Sequence, residues 1–257
     1  MSISDLYCNK IVVVAGGGGS IGSQICERLL TLDVKKLVAV DFSEFNLFSL
    51  LEKTAHHESL DPVLLDWTND EMIRVLEDNY PDVDYVFNAA AYKHVNLVQL
   101  NRAVGTWNNL KSAINARDFA LKRSAKFIQI SSDKAVRPIN HMGYSKRLCE
   151  HIALELNSKT RSEGRVVRFG NVLNSSGSVL PIFENQISKG GPVTVTDRCA
   201  TRYFMSLGAA VDLVLTCPVA TFKYNPIFAL DMGQQINIFE LAQSLIRQNG
   251  FIPVETE

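Results

Sequence analysis

The chain lacks a CxxC pair, an HExxH motif and any run approaching the ~20 apolar residues of a bilayer span. Its five cysteines, Cys8, Cys26, Cys149, Cys199 and Cys217, are odd in number and dispersed. That pattern argues against a disulfide framework or a zinc site and for reduced thiols, most of them core fillers. The amino terminus has no apolar core of the kind a signal peptide needs, so the expectation is a soluble, cytoplasmic protein. Charge of one sign is missing too: 26 Lys and Arg against 27 Asp and Glu leave a formal net charge of −1. No electrostatic footprint for nucleic acid or an anionic membrane follows from that balance, and any bound anion must be held by local groups. Internal repeats and low-complexity segments are absent as well. Metal centres are expected nowhere.

What is present is an alternation of short apolar runs with amphipathic helical patterns, the mark of a Rossmann-type doubly wound parallel sheet covered on both faces. Lys10–Ala15 reads as a buried first strand, and Ile21, Ile25 and Leu29 recur at helical spacing behind Ser20, which is placed to cap that helix. Lys36–Val40 is the second strand, ending in Asp41, with Ser43 capping the next helix. Pro62–Leu65 is the third, ending in Asp66, and a helix runs from about Asn69 to Asn79. Asp84–Asn88 is the fourth, a long helix covers roughly Arg102–Lys122, and Lys126–Ile130 leads into Ser131. A helix carrying Met142 and Lys146 continues to about Leu156, and Arg165–Phe169 is the sixth strand.

After Gly170 the rhythm loosens. Loop signals stand at 174–177 and 189–192 around a short helix, helices at Leu207–Cys217 and Ile238–Gln248, and a strand at Ile227–Leu230. The expectation is therefore a dinucleotide-binding domain over residues 1–170 and a mainly substrate-binding lobe over 171–257, with a soft boundary.

Gly16, Gly19 and Gly22 have the spacing GxxGxxG between a strand and a helix. Positions without side chains let the backbone approach a pyrophosphate, and the helix start, at Ser20 and Ile21, turns unpaired amides toward the anion. The strand–turn–helix context is what gives a glycine trio meaning. Asp41 stands 19 residues after Gly22, where a carboxylate accepts from both hydroxyls of an adenosine ribose and repels a 2′-phosphate. No Arg or Lys follows it until Lys53, which favours NAD over NADP. Asp66 is placed to meet the adenine amino group, although LDWTND also reads as a helix start. Farther along, Gln129–Lys146 crowds Ser131, Ser132, Asp133 and Lys134 at the end of a buried strand and then carries Met142 and Lys146 one turn apart. Polar crowding there is costly for folding alone.

These segments carry a resemblance. AGGGGSIGSQICERLL, DFSEFNLFSLLEK, FNAAAYKHV, SSDKAVRPINHMGYSKR, RFGNVLNSSGSVLPIFENQISKGGPVTVTD, TRYFM and FALDMGQQINIFELA occur in order over about residues 10 to 250. Together they resemble the nucleotide-sugar 4,6-dehydratases of bacterial polysaccharide biosynthesis, extended short-chain dehydrogenase/reductases acting on UDP-N-acetylglucosamine. The resemblance implies oxidation at carbon 4 with NAD, loss of water across carbons 5 and 6, and return of hydride to carbon 6. It implies Lys134 as the carbon-5 base, Asp133 as the carbon-6 acid and Ser132 as a hydrogen-bonding partner of the carbon-4 oxygen. Lys146 becomes the lysine of the nicotinamide ribose, and Ala89 and Ala90 cofactor contacts. Lys93 and His94 line the substrate side or support it by hydrogen bonds. Asn171 and Arg202 either bind the diphosphate or are structural polar residues.

Three departures stand out. Met142 occupies the place of the usual tyrosine and has no proton to transfer, as in members resembling the configuration-retaining enzymes. Tyr144 lies near it in sequence but faces elsewhere on a helix. Lys111 stands where relatives have glycine, which unsettles the alignment of Asn108 with the family's helix asparagine. Relatives also continue past the equivalent of Gly250 with a segment containing RPGEK, which implies altered UDP binding here. The remaining alternatives are a UDP-sugar epimerase or ketoreductase on the same scaffold, or an inactive NAD- or nucleotide-sugar-binding protein. Homo-oligomerisation through the helices flanking the site is expected.

Overall fold

The computed structural model describes residues 2–155, 163–172, 178–220, 226–229 and 232–255. Strands β1 (Ile11–Ala15), β2 (Lys36–Asp41), β3 (Leu60–Leu64), β4 (Tyr85–Asn88), β5 (Lys126–Ser132), β6 (Gly164–Phe169) and β10 (Ile227–Ala229) form one seven-stranded sheet. Their order is β10-β6-β5-β4-β1-β2-β3, and the pairings β10–β6, β5–β4, β4–β1, β1–β2 and β2–β3 are parallel. Such strands are buried on both faces, which is why IVVVA and KLVAV read as unbroken apolar runs instead of alternating ones. Val12 to Ala15 and Leu37 to Val40 are fully buried.

Helices α1 (Ile3–Tyr7), α2 (Ser20–Leu30), α3 (Glu44–Lys53), α4 (Asp70–Asn79), α5 (Val95–Leu100), α6 (Arg102–Lys122) and α7 (His141–Leu154) are threaded between the strands. The core under α6 joins Phe119, Phe127, Val86 and Trp67, with Trp67 set edge-on to Phe119 at 5.7 Å. Truncating a ring buried like Phe127 costs about 3–5 kcal/mol.

Of the two expected helix caps, one holds and one changes. Ser43 caps α3 by accepting from Asn46 N, but Ser20 does not cap α2; the cap position is Gly19, in extended geometry, without a side-chain bond. The glycine turn ends one residue sooner, at Gly19, so the helix begins at Ser20 with no side-chain cap at its start. The short helices α1 and α5 lie in stretches too brief to show helical periodicity.

The chain packs into two compact units, Met1–Arg168 with Val211–Ala229, and Phe169–Ala210 with Leu230–Glu257. Strand β10, in the stretch read as substrate lobe, pairs with β6 and belongs to the main sheet. Sequence order alone cannot show such a return. The second unit contains β7 (Asn171–Val172), α8 (Val179–Ser188), β8 (Thr201–Arg202), β9 (Phe204–Met205), β11 (Ile236–Asn237) and α10 (Ile238–Gln248), while α9 (Leu207–Thr216) spans the division. The loop signals at 174–177 fall outside the described residues. No described helix is long and apolar enough to cross a membrane. Among the described residues no group of three or more His, Cys, Asp and Glu could hold a metal ion.

Candidate active site

The strand order reverses direction between β1 and β4, and the crevice beyond the carboxyl ends of the strands is where this architecture places ligands. A cleft of about 150 Å³ lies there, lined by Gly16 and Gly19 after β1, Asp41 and Phe42 at β2, Leu65–Thr68 after β3, and Ala89–Tyr92 after β4. Asn108 and Ser112 close it from α6. That volume is below the ~300–1,000 Å³ of sites that swallow a whole ligand, so this cleft is too small to enclose an entire dinucleotide.

Backbone demands fix the glycines. Gly16 has φ +72, and a Cβ there would stand 2.7 Å from Ala90 N. At Gly22 a Cβ would collide with the Gly16 carbonyl oxygen. Strand, turn and helix thus press together, and the first turn of α2 has no side-chain cap at Gly19. Asp41 is buried, with Oδ2 accepting from Gly18 N at 3.1 Å and Oδ1 from Ser43 N at 3.0 Å. These bonds orient the carboxylate at the mouth of the glycine turn. Asp66 is turned by Thr68, whose N–H and hydroxyl both donate to Oδ1 at 2.8 Å. A bare helix start, a close-packed glycine turn and an oriented carboxylate fit a dinucleotide.

Ala89 and Ala90 are placed by a buried amide pair. Asn88 Nδ2 donates to Gln129 Oε1 at 2.9 Å, across the β4–β5 register, and Ala90 N donates to Asn88 Oδ1 at 3.2 Å.

The second cluster forms where β5 ends. Ser132 is extended (φ −145, ψ 156), and a 3₁₀ turn, Asp133–Ala135, starts immediately after it. Adjacent residues on a continuing strand would point to opposite faces; the turn gathers them instead. Asp133 Oδ1 accepts from Ser132 Oγ at 2.8 Å and from Lys134 Nζ at 3.0 Å. Ser132 Oγ in turn accepts from Lys134 N at 3.2 Å. The Asp133 and Lys134 side chains are 26% and 31% exposed, open enough for a ligand and still partly dry.

Met142 and Lys146 lie buried on one face of α7, while Tyr144 is half-exposed and edge-on to His141. Lys146 Nζ donates to Ile130 O at 3.1 Å, and burial lowers its pKa. Lys93 and His94 follow β4 on the exposed loop before α5; the Lys93 ammonium is nonetheless covered enough for desolvation to lower its pKa.

The support beneath this cluster is invisible at the level of motifs. Glu150, fully buried, accepts from Ser131 Oγ at 2.6 Å, from Arg168 Nε and Nη2 at 2.7 and 2.6 Å, and from Arg147 Nη1 at 3.2 Å. The Glu150 hydrogen bond raises the Arg168 pKa. Asn109, next to the expected Asn108, is the buried asparagine. It accepts from Tyr92 N at 2.7 Å, and its amide donates to Tyr92 O at 3.1 Å and Ser145 Oγ at 3.0 Å. The doublet of asparagines was the available signal; burial decides between its members, with Asn108 at the cleft wall.

Asn171 and Arg202 belong to the second unit. Asn171 Nδ2 donates to Tyr203 O at 3.3 Å, within the β7–β9 pairing. Arg202 is exposed, with Nη1 on Thr201 O at 2.7 Å.

The family described as "Polysaccharide biosynthesis protein" matches residues 12–257. The chain is 39% identical over 263 residues to the probable polysaccharide biosynthesis protein EpsC of Bacillus subtilis, covering 98% of this chain and 44% of that protein. It is 40% identical over 255 residues to the capsular polysaccharide biosynthesis protein CapD of Staphylococcus aureus, covering 96% and 42%. A UDP-glucose 4-epimerase of Rickettsia bellii is 35% identical over 242 residues, covering 91% and 66%. The chain thus spans less than half the length of the first two.

Among solved structures, Pen from Bacillus thuringiensis superposes with a TM-score of 0.86 at 29% identity, covering 94% of this chain and 75% of that one. DesIV of Streptomyces venezuelae, a dTDP-glucose 4,6-dehydratase with NAD bound, gives 0.85 at 17%, covering 94% and 81%. WbmF of Bordetella bronchiseptica, in complex with NAD⁺ and UDP, gives 0.79 at 21%, covering 98% and 83%. The latter two establish a Rossmann-type fold shared with NAD-bound proteins. On the match over residues 12–257 and these identities, the chain belongs to the polysaccharide biosynthesis protein family.

Proposed function

We propose that this chain carries the catalytic core of an NAD-dependent nucleotide-sugar 4,6-dehydratase acting on UDP-N-acetylglucosamine. The observation that carries the reading is the Ser132–Asp133–Lys134 cluster at the end of β5, three proton-handling groups in which Asp133 Oδ1 lies 2.8 Å from Ser132 Oγ and 3.0 Å from Lys134 Nζ. Gly16, Gly19, Ser20, Ile21 and Gly22 hold the pyrophosphate, Asp41 the adenosine ribose, Asp66 the adenine, and Ala89, Ala90 and Lys146 the nicotinamide side. NAD, when bound, accepts hydride from carbon 4 and returns it to carbon 6.

The chain's own residues then move protons. Ser132 takes the carbon-4 hydroxyl proton as its own passes along the 2.8 Å bond to Asp133, which leaves a neutral acid. Lys134, entering as the free amine, takes the proton from carbon 5. Asp133 protonates the departing hydroxyl at carbon 6, and Lys134 returns a proton to carbon 5. The four transfers cancel, so Asp133 and Lys134 end as they began. The ion pair seen in the structure holds one proton more than that starting state and must lose it before turnover. Met142 has no transferable proton and takes no step; it is buried one turn before Lys146 on α7. Lys93, His94, Asn171 and Arg202 are assigned to the UDP-sugar, a guanidinium being suited to a diphosphate.

Purified protein incubated with UDP-N-acetylglucosamine and NAD⁺ in D₂O, followed by NMR, tests this. The expected product is the 4-keto-6-deoxy sugar, with deuterium at carbon 5 reporting the face of reprotonation. A product keeping its carbon-6 hydroxyl overturns dehydration and establishes the second reading, epimerisation, which the Rickettsia relative favours. Self-association is part of the same proposal: Val104 and Trp107 on α6 and Tyr144 and Leu148 on α7 are exposed apolar side chains. Sedimentation should show an oligomer that Trp107→Glu weakens; a monomer in the native chain refutes it.

A further inference from the structure

The resemblance left Lys111 without a role, and the structure gives it one. Lys111 and Asn115 stand one turn apart on α6, and both reach Asp70 Oδ1, at 2.6 and 3.0 Å. Asn115 Nδ2 also donates to Trp67 O at 2.8 Å. One more turn along, Phe119 receives the Trp67 ring edge-on. One face of α6 therefore grips the loop after β3 at three points, through its main chain, its indole and its terminal carboxylate. Leu65, Asp66, Trp67 and Thr68 of that loop form one wall of the 150 Å³ cleft.

The grip is an electrostatic one at its outer end. The Lys111 and Asn115 hydrogen bonds hold the Asp70 carboxyl below the usual carboxylate range. Asp70 is the first residue of α4, whose preceding cap, Asn69, accepts from Glu71 N and Met72 N. A loop fastened at both ends loses little freedom when a ligand settles on it, and freedom lost on binding is subtracted from affinity.

We propose that Lys111, acting through Asp70, is a positioning residue for the adenosine half of the cofactor, setting affinity by holding the loop Leu65–Thr68 against the cleft. This rests on the reading of the cleft as the NAD site. The loop touches only the adenosine side, so its contribution must be the same for NAD⁺ and for ADP-ribose, which lacks the nicotinamide.

Calorimetric titration of the full chain with NAD⁺ and with ADP-ribose tests it. Lys111→Met keeps the packing of the aliphatic stem and removes the charge; Asp70→Ala removes the acceptor. Each is expected to weaken both ligands by about five-fold or more, and the double variant to be no weaker than Asp70→Ala alone, because that change already removes the Lys111 contact along with the Asn115 one. Lys10→Met serves as the control: it breaks an ion pair of 2.9 Å with Asp84 at the opposite end of the sheet, and binding should not change. If Lys111→Met binds NAD⁺ within roughly two-fold of the native chain, the inference is wrong. The same holds if NAD⁺ weakens but ADP-ribose does not. A native chain that binds neither ligand overturns the reading of the cleft itself, a separate outcome.

Discussion

The two halves of the candidate site are built from different materials. At the ends of β1 and β2 the work is done by backbone: a turn too tight for a Cβ at Gly16 or Gly22, a bare helix start, and one carboxylate, Asp41, oriented by main-chain amides. At the end of β5 side chains do it, with Ser132, Asp133 and Lys134 sharing bonds above a buried Glu150 that accepts from three partners. Binding a dinucleotide asks for shape and fixed dipoles, which backbone supplies. Moving protons asks for groups that titrate, and these must be held by other side chains. The first half should therefore fail through geometry and the second through charge.

The largest effect is expected at Lys134. Lys134→Ala removes the carbon-5 base, and positioned acid–base groups contribute about 10²–10⁴-fold, so turnover should fall by at least a hundredfold while NAD⁺ binding holds. Met142→Tyr should not be required for activity. Near-native turnover of Lys134→Ala, measured by product NMR, sinks the assignment of the second half.

Next is Glu150→Ala. Glu150 is 1% exposed and neutralises Arg168 through a two-pronged contact. Removing one partner of a buried pair leaves the other uncompensated and costs about 3–5 kcal/mol. Urea denaturation should show that loss, and Glu150→Gln should recover part of it by keeping an acceptor for Ser131. A loss under about 1 kcal/mol would mean that water reaches Arg168 and that the network is no foundation.

Gly22→Ala probes the other half and should cost less, about 1–3 kcal/mol, because a single methyl can be absorbed by a shift of α2 away from β1. That shift opens the turn, so NAD⁺ affinity should fall more than stability does. Stability falling with affinity intact would separate the glycine turn from the cofactor.

The same contrast explains what could be read in advance. A backbone requirement leaves a spacing, so Gly16, Gly19, Gly22 and Asp41 were legible as a unit, and six strands of the sheet followed from the apolar runs that parallel strands demand. Side-chain support leaves no spacing. Glu150 meets Arg168 from another element, and Asn109 meets Tyr92 across 17 positions. In sequence each is an ordinary helical polar residue. Helix α2 starts one residue earlier than its serine suggested because the turn, and not the cap, sets the boundary. The return of β10 to the main sheet left no mark of its own, since short apolar triplets look alike wherever they pack.

The smallest effect is the most specific to charge. Burial holds the Lys146 pKa below the ordinary 10.5, while in the unfolded chain it returns there. Between those two values the unfolded chain binds more protons than the folded one, so stability rises with pH through that window. At neutral pH the folded chain bears the full cost of the buried ammonium, offset in part by the bond to Ile130 O. Lys146→Met has no such group. Denaturation of both chains from neutral pH to about 10.5 should show the native chain gaining on the variant as pH rises. The Cys149 thiol, pushed up to about 11 by its own burial, opposes that trend in both chains and cancels to first order in the difference. A flat difference would mean that Lys146 is solvated in the folded state; a falling one would mean that Glu150 outweighs burial. Only the flat result would take Lys146 out of the charge-dependent half of the site.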